Sequence, residues 1–192
     1  MKRKDYLIVA FLPLALLFIP LTGQLTVDGW HWTWTDFLFA WVVFSITTFV
    51  FRFLVTRPMA NLAYKAGVAL AVLAGFLVFW ITAAVQIIGD DNPGNLLYLL
   101  SLLGGFAGMG VSRFQPVGLS RVAFAMAAAL LLIPVVAVLN WPTDFNPGYL
   151  QAQLLSAGLA TLFLAAGLLF RRAGSQAGSE LTAAGGNATP CR

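Results

Sequence analysis

Residues 122–139 read VAFAMAAALLLIPVVAVL, an apolar run of eighteen residues without a charge. Arg121 stands directly before the run, and Asn140 and Trp141 follow it. An apolar run of this length can cross a bilayer as a helix. A basic residue at one end and a tryptophan at the other are typical of the two ends of such a helix. The stretch therefore predicts a transmembrane helix.

The same pattern recurs along most of the chain. Apolar segments separated by short connections fall at about residues 6–22, 37–55, 66–89, 95–111, 122–139 and 149–170. The first is short, and extension to about Leu25 would let it span a bilayer. Short connections make sequential helices antiparallel neighbours. We therefore predict an all-α integral membrane protein, with a six-helix transmembrane bundle of three antiparallel hairpins over residues 1–172 and a disordered cytoplasmic tail over 173–192.

Charged residues set the orientation of this bundle. With the N-terminus inside, every Lys and Arg before the tail lies inside or at an inner helix end: Lys2, Arg3, Lys4, Arg52, Arg57, Lys65, Arg113, Arg121, Arg171 and Arg172. Five of the seven acids lie in the outer connections: Asp28, Asp36, Asp90, Asp91 and Asp144. Because Lys and Arg are retained on the cytoplasmic side, both termini are predicted to be cytoplasmic. The expected location is a bacterial inner membrane.

Composition indicates that lipid is the main solvent. The 192 residues are 60% hydrophobic and 9% charged, whereas a soluble domain carries about a quarter charged residues. The net charge of +4 does not predict nucleic-acid binding, because the basic residues are spread over inner helix ends, where they meet anionic headgroups. The partner that composition predicts is the lipid bilayer.

The first segment has two interpretations. A charged start, an apolar run and the sequence Leu21-Thr22-Gly23 are compatible with a signal peptide. The apolar run is long for a signal peptide, and no clean small-x-small cleavage site follows it. A retained membrane anchor is therefore favoured.

Turn residues precede or begin several predicted helices. Asn is a good N-cap, Pro suits the first helical position, and an acid near the start interacts favourably with the helix dipole. These structural roles are predicted for Asp36, Asn92, Pro93, Asn146 and Pro147. The alternative is a divalent-cation site made by Asp90, Asp91 and Asp144. Since capping explains each acid singly, we predict no metal site.

The two Asn-Pro-Gly turns also suggest an internal repeat. Asp90-x-Asn92-Pro93-Gly94 recurs as Asp144-x-Asn146-Pro147-Gly148. Either the hairpins are duplicated in parallel orientation, or two hairpins use the same turn independently.

Small residues recur at helical spacing within the apolar segments. Such spacing lets helix backbones approach closely, which is how helices associate in lipid. Close helix packing is predicted at Gly67, Ala71, Gly75, Gly104 and Gly108. These residues face either another helix of the same chain or a second copy.

Reactive side chains are few. His31 is the single histidine and lies in Trp30-His31-Trp32-Thr33-Trp34, while the single cysteine, Cys191, lies in the tail. The tryptophans are typical of an outer aromatic belt, and the alternative is a lid over an outward pocket. Gln86, in an outer half, is expected to bond a neighbouring helix or to line a shallow cavity. We predict no catalytic residue and no cofactor, and His31, Gln86 and the outer Asp90, Asp91 and Asp144 are weak functional candidates.

Two sequence blocks carry a resemblance to known proteins. The first is Trp80 with Ile87-Ile88-Gly89 and Asp91-Asn92-Pro93-Gly94-Asn95-Leu96-Leu97-Tyr98, and the second is Arg113-Phe114-Gln115-Pro116-x-Gly118-Leu119-x-Arg121. From about residue 36 to 139, the chain resembles a widespread group of small multi-pass bacterial inner-membrane proteins of unknown function. Gly94 replaces the more usual Ala. The resemblance implies membrane architecture and a bacterial setting, and it implies no activity.

Three functions compete at this point. The favoured hypothesis is a non-catalytic membrane protein, either an accessory subunit of another membrane protein or a self-associating homo-oligomer. The alternative is a channel or uncoupled carrier for a small or apolar solute. A second alternative is a membrane enzyme acting on a lipid or isoprenoid, a class that normally needs interfacial acids or histidines.

Overall fold

The computed structural model describes residues 3–29, 31–57, 60–84, 86–88, 92–141 and 149–186. These residues form helices and connections, with no strand among them. The helices are α1 (Arg3–Leu16), α2 (Phe18–Thr26), α3 (Trp34–Val55), α4 (Leu62–Ala84), α5 (Asn95–Val111), α6 (Pro116–Asn140) and α7 (Tyr149–Gly186). The prediction of an all-helical chain is confirmed.

Five helical stretches of the described chain are long and apolar enough to cross a membrane: Asp5–Thr26, Trp34–Val55, Leu62–Ala84, Pro116–Asn140 and Leu150–Ser179. Helix α5 is apolar but has only 17 residues, about 25 Å of helix at the usual rise. That is less than the roughly 30 Å of a bilayer's hydrocarbon core. Apolar helices of this number and length are typical of a multi-pass membrane protein.

The chain divides into two compact units, residues 1–58 and residues 59–192. In the first unit, α1 packs against α3. Arg52, near the end of α3, forms an ion pair with the buried Asp5 at the start of α1. Gln24 Oε1, in α2, accepts a hydrogen bond of 2.8 Å from Trp32 N, just before α3. One polar contact therefore connects the start of α1 to α3, and another connects α2 to Trp32, just before α3.

Prolines account for the interruption between α1 and α2. Pro20 has no N–H and cannot bond the carbonyl of Leu16, so the helix is weakened one turn before it. A turn at Leu17 separates the helices, and Leu17 N and Leu21 N donate to Pro13 O and Leu17 O. The helical stretch then continues to Thr26, beyond the predicted end at residue 22 and close to the extension expected at Leu25.

Helix α3 begins three residues before the predicted position 37. Thr33 is its N-cap, and Asp36 Oδ2 accepts hydrogen bonds from Thr33 N at 2.7 Å and from Thr33 Oγ1 at 2.8 Å. An acid at the third helical position that reaches back to the N-cap N–H is one half of a capping box. The Asp36 carboxylate therefore serves the start of this helix.

In the second unit, α7 packs against α6 and α4, and α5 packs against α6 and α4. The core is built from small and medium apolar side chains of these helices, with Val78, Leu130 and Ala137 fully buried. One polar contact crosses this core, because Tyr98 Oη and Ser156 Oγ lie 2.7 Å apart and both residues are fully buried. The hydrogen bond connects α5 to α7.

Glycines mark close helix contacts of this unit. A β-carbon at Gly67 would lie 3.0 Å from Phe170 Cδ1, and one at Gly108 would lie 2.9 Å from Val122 Cγ2. Gly104, predicted to pack with Gly108, is exposed and has no atom of this chain within 4 Å of such a β-carbon. A β-carbon at Gly105 would lie 2.9 Å from Met126 Sδ. Within this chain Gly105 therefore makes the close contact, and a contact of Gly104 with a second copy stays a prediction.

The other two predicted packing residues have looser surroundings. Ala71 is half-buried. A β-carbon at Gly75 would lie 3.8 Å from Leu102 Cδ2, which is ordinary van der Waals contact.

The start of α6 is built by a left-handed connection. Arg113 and Phe114 have φ values of +50° and +61°, a region that non-glycine residues seldom occupy. Tyr64 Oη donates to Phe114 O at 3.2 Å, and a β-carbon at Gly118 would lie 2.4 Å from Ser112 Cβ. Pro116 then opens α6 six residues before the predicted start at 122. The second resemblance block is therefore a tight turn over residues 113–115 followed by the first turns of α6.

Helix α7 also departs from the prediction. Disorder was expected from residue 173, but the helix continues to Gly186. Ala173 is buried, and Asn61 Nδ2 donates to Ala173 O at 3.4 Å and to Gln176 Oε1 at 3.1 Å. Residues 173–186 hold as many glycines as alanines, so helix propensity does not account for the extension. These contacts attach the first extra turn to the residues before α4. Residues 187–192 of the predicted tail lie outside the described chain.

Candidate functional site

Helix α4 ends at Ala84, five residues before the predicted end at 89. Gln86 has a φ of +55°, and its N–H donates to Ile81 O at 3.1 Å. A left-handed residue after the last turn closes a helix, although glycine usually fills that position. Hydropathy alone extended the helix because Ile87 and Ile88 are apolar.

These two isoleucines belong to the protein core rather than to a helix. Ile87 and Ile88 are 3% and 0% exposed. The N–H of Ile88 donates to Asn95 Oδ1 at 3.1 Å, so a side chain of α5 satisfies this buried backbone group. Non-helical backbone at membrane depth is tolerated where the protein itself supplies such partners.

Asn92 organises the approach to α5. Its Oδ1 accepts a hydrogen bond of 2.8 Å from Gly94 N, with Pro93 between them. A bond from an Asn side chain to the N–H two residues further on forms an Asx turn, which here leads into Gly94, the N-cap residue of α5. This bond also fixes which way the Asn92 side-chain amide is turned. If its oxygen and nitrogen were exchanged, Nδ2 would point its hydrogens at the N–H of Gly94. Nδ2 of Asn92 is therefore the group left to face elsewhere.

A cleft of about 380 Å³ lies beside this turn, lined by Thr82, Gln86, Asn92, Pro93, Asn95, Leu96 and Leu99. Thr82 and Asn92 are 5% and 4% exposed. Within the described chain, Thr82 Oγ1 and Asn92 Nδ2 are buried atoms without a hydrogen-bond partner. A buried polar group without a partner costs about 1–3 kcal/mol. The cleft thus concentrates unused hydrogen-bonding capacity between apolar walls.

Thr82 differs from several other helical hydroxyls of this chain. Thr47 Oγ1 donates to Val43 O at 2.8 Å, and Thr161 Oγ1 donates to Gly158 O at 2.6 Å. Such back-bonding to the preceding turn is the usual solution for a hydroxyl in an apolar helix. Thr82 does not use it, and its hydroxyl oxygen is buried without a hydrogen-bond partner.

The other candidates from the sequence are not assembled into one site. His31 is exposed in the first unit, and Asp36 serves α3. Gln86 lines the cleft. Asp90, Asp91, Asp144, Asn146 and Pro147 lie outside the described residues. Among the described residues, no group of three or more His, Cys, Asp or Glu side chains could hold a metal ion.

Sequence reasoning missed Thr82 as a site residue. It stands in an apolar run like other hydroxyl residues, and its missing back-bond is a property of the fold alone. The available signal was that Thr82 is a polar residue close in sequence to Asn92-Pro93-Gly94-Asn95.

Comparison of the chain with protein-family models, with curated proteins and with solved structures finds no match.

Proposed function

We propose that this chain is a non-catalytic multi-pass protein of a bacterial inner membrane, either an accessory subunit or a self-associating one. The observation that carries the proposal is the outer surface of the helices. Large apolar side chains are exposed on helices of both units, among them Ile19 at 68%, Leu103 at 64% and Leu154 at 63%. Exposed apolar surface of this extent indicates contact with lipid or with other membrane helices.

The distribution of charge supports an orientation with both termini in the cytoplasm. Arg57 and Arg113 stand just beyond helix ends and Arg121 lies in the second turn of α6, all on the side assigned to the cytoplasm, whereas Asp28 stands in the α2–α3 connection on the other side. Retention of basic residues inside is the dominant orienting effect for such short connections.

The accessory or self-associating role is tested by purification in mild detergent. Light scattering should give a mass of two or more copies, or a defined membrane protein should co-purify at fixed stoichiometry. A monodisperse monomer without a co-purifying membrane protein would contradict the role.

The second candidate function is an uncoupled carrier for a small or apolar solute, and the cleft favours it. A short helix preceded by non-helical backbone is how many transporters build their binding sites. In proteoliposomes, a solute that the wild type carries should cross more slowly with Thr82→Val, whereas Thr161→Val should behave as wild type. Equal flux in all three would remove the cleft from the pathway.

A further inference from the structure

We infer that the contact between α6 and α7, at its cytoplasmic end, binds the phosphate of an anionic phospholipid between Arg121 and Arg171. The inference rests on the proposed placement of the chain in a membrane, with both arginines on the cytoplasmic side. It starts from two contacts that fix how the two helices lie against each other.

Glycines of α7 make both contacts. A β-carbon at Gly167 would lie 2.8 Å from Phe124 Cε1, and one at Gly174 would lie 2.9 Å from Val117 Cγ2. Seven residues forward in α7 therefore correspond to seven residues back in α6. The helices are antiparallel here and stay in close contact over about two turns.

Arg171 lies between the two glycines of this contact. It is four residues after Gly167 and three before Gly174. Residues at these spacings share one helix face. Arg171 is therefore on the edge of α7 that borders α6.

Arg121 has the matching position on α6. It is four residues after Val117 and three before Phe124, so it is on the edge of α6 that borders α7. The register of the two contacts places Arg121 and Arg171 at the same level along the helices to within about one turn, or about 5 Å. We call these two residues the arginine pair.

Both members of the arginine pair are exposed. Buried residues such as Ala127 and Phe170 occupy the core side of the two helices, so the pair lies on the side that faces away from the core. Within the described chain, neither arginine takes part in an ion pair or a side-chain hydrogen bond. Packed helix axes lie about 8–10 Å apart, which lets two long arginine side chains reach one anion.

The chemistry of the arginine pair fits a phosphate group. Two like charges side by side repel each other, and an anion held by both replaces this repulsion with two attractions. A guanidinium presents its N–H donors in a planar fork that matches the oxygens of a phosphate.

The level of the arginine pair fits the phosphate of a lipid. Arg121 stands directly before the apolar run 122–139, and Arg171 stands directly after the apolar segment 149–170. The ends of apolar segments mark the boundary between hydrocarbon and headgroups. On the cytoplasmic side, basic pockets between transmembrane helices bind the headgroups of anionic lipids.

The surface next to the pair favours a lipid over a free phosphate ion. Leu168 and Leu164 are three and seven residues before Arg171 and share its side of α7. Their side chains are 58% and 40% exposed. They extend the site by about 10 Å toward the middle of the helix, where an acyl chain attached to the phosphate would cover them.

The test is native mass spectrometry of the full chain in mild detergent with phosphatidylglycerol and phosphatidylethanolamine of the same acyl chains. The ammonium group of phosphatidylethanolamine balances its phosphate charge, whereas phosphatidylglycerol keeps a net negative charge. The wild type should bind phosphatidylglycerol about fivefold more tightly, equivalent to about 1 kcal/mol. Arg121→Gln and Arg171→Gln should each bring this ratio close to one.

Lys65→Gln is the matched control, since it removes one exposed positive charge from the same end of the unit but on α4. It should keep the wild-type ratio. Thermal unfolding of each variant shows whether it is folded. Equal binding of the two lipids by the wild type would overturn the inference, as would an unchanged ratio in both arginine variants or an equal loss of the ratio with Lys65→Gln.

A further arm adds competitors to the wild type with bound phosphatidylglycerol. Glycerol phosphate, which has the phosphate without acyl chains, should leave the lipid bound, and displacement at an equal concentration would overturn the choice of a lipid. Displacement by a short polyglutamate peptide would assign the arginine pair to a protein partner and would also overturn it. Oligomeric state and membrane topology are measured separately from this ratio, so the proposed function and the lipid site fail independently.

Discussion

At the scale of single residues, the polar groups of this apolar chain are mostly assigned to defined partners. Tyr98 bonds Ser156, Asn95 bonds Ile88 N, and Asn92 Oδ1 bonds Gly94 N. Without water, an unmade hydrogen bond in such surroundings is expensive. Four buried atoms of the described chain depart from this rule, Arg52 Nε, Thr82 Oγ1, Asn92 Nδ2 and Gln153 Oε1, and two of them belong to residues that line the cleft.

The Tyr98–Ser156 hydrogen bond should contribute measurably to stability. Tyr98→Phe removes the hydroxyl and leaves Ser156 to bond its own helix, so the free energy of unfolding should fall by about 0.5–1.5 kcal/mol. Thermal unfolding in detergent measures this. Tyr6→Phe is the control because Tyr6 is 62% exposed, and an equal effect of both substitutions would contradict the role of the buried bond.

Gly108 and Gly104, one turn apart on α5, should differ in how much stability is lost when each is replaced by leucine. Gly108→Leu pushes against Val122 and should cost about 1–3 kcal/mol, with a lower melting temperature. Gly104→Leu meets open space and should melt close to wild type. A Gly104→Leu variant as unstable as Gly108→Leu would show that the sequence prediction, and not the structure, has the correct face of α5.

At the scale of elements, hydropathy located the helices but misjudged several ends. Helix α4 ends earlier than predicted because Gln86 is left-handed, and α6 is longer because Pro116 and Gly118 begin it earlier. Helix α7 is longer because Ala173 is buried against other helices. The helix ends depend on tertiary contacts and backbone conformation, and hydropathy averaged along the sequence reports neither of these.

The ion pair between Asp5 and Arg52 should hold α1 against α3. Asp5→Asn leaves the half-buried Arg52 without this partner, and Arg52→Gln leaves the buried Asp5 without it. Each substitution alone should cost about 1–3 kcal/mol. The double variant should lose less than the sum of the two, with a coupling of about 0.5–3 kcal/mol in a double-mutant cycle. Additive losses would show that the pair contributes nothing to stability.

At the scale of the whole molecule, the sequence predicted the helical class and its apolar helices because both follow from composition and period. It did not predict the cleft. The cleft depends on Gln86 ending α4 and on Ile87 and Ile88 turning into the core, so that Thr82 and Asn92 line one cleft. Such convergence of residues from two elements has no signature in hydropathy.

The central claim is a multi-pass membrane protein with its basic connections in the cytoplasm, and cysteine accessibility in spheroplasts tests it most directly. Gly94 is unsuitable as an outer reporter, since a β-carbon there would lie 2.9 Å from Ile88 Cδ1, whereas Asp28 is exposed in the α2–α3 connection. In a Cys191→Ser background, Asp28→Cys should react with an impermeant thiol reagent. Gln115→Cys in that background, and native Cys191 in the wild type, should react only after permeabilisation. Reaction of Cys191 in intact spheroplasts, or protection of Asp28→Cys, would contradict the topology.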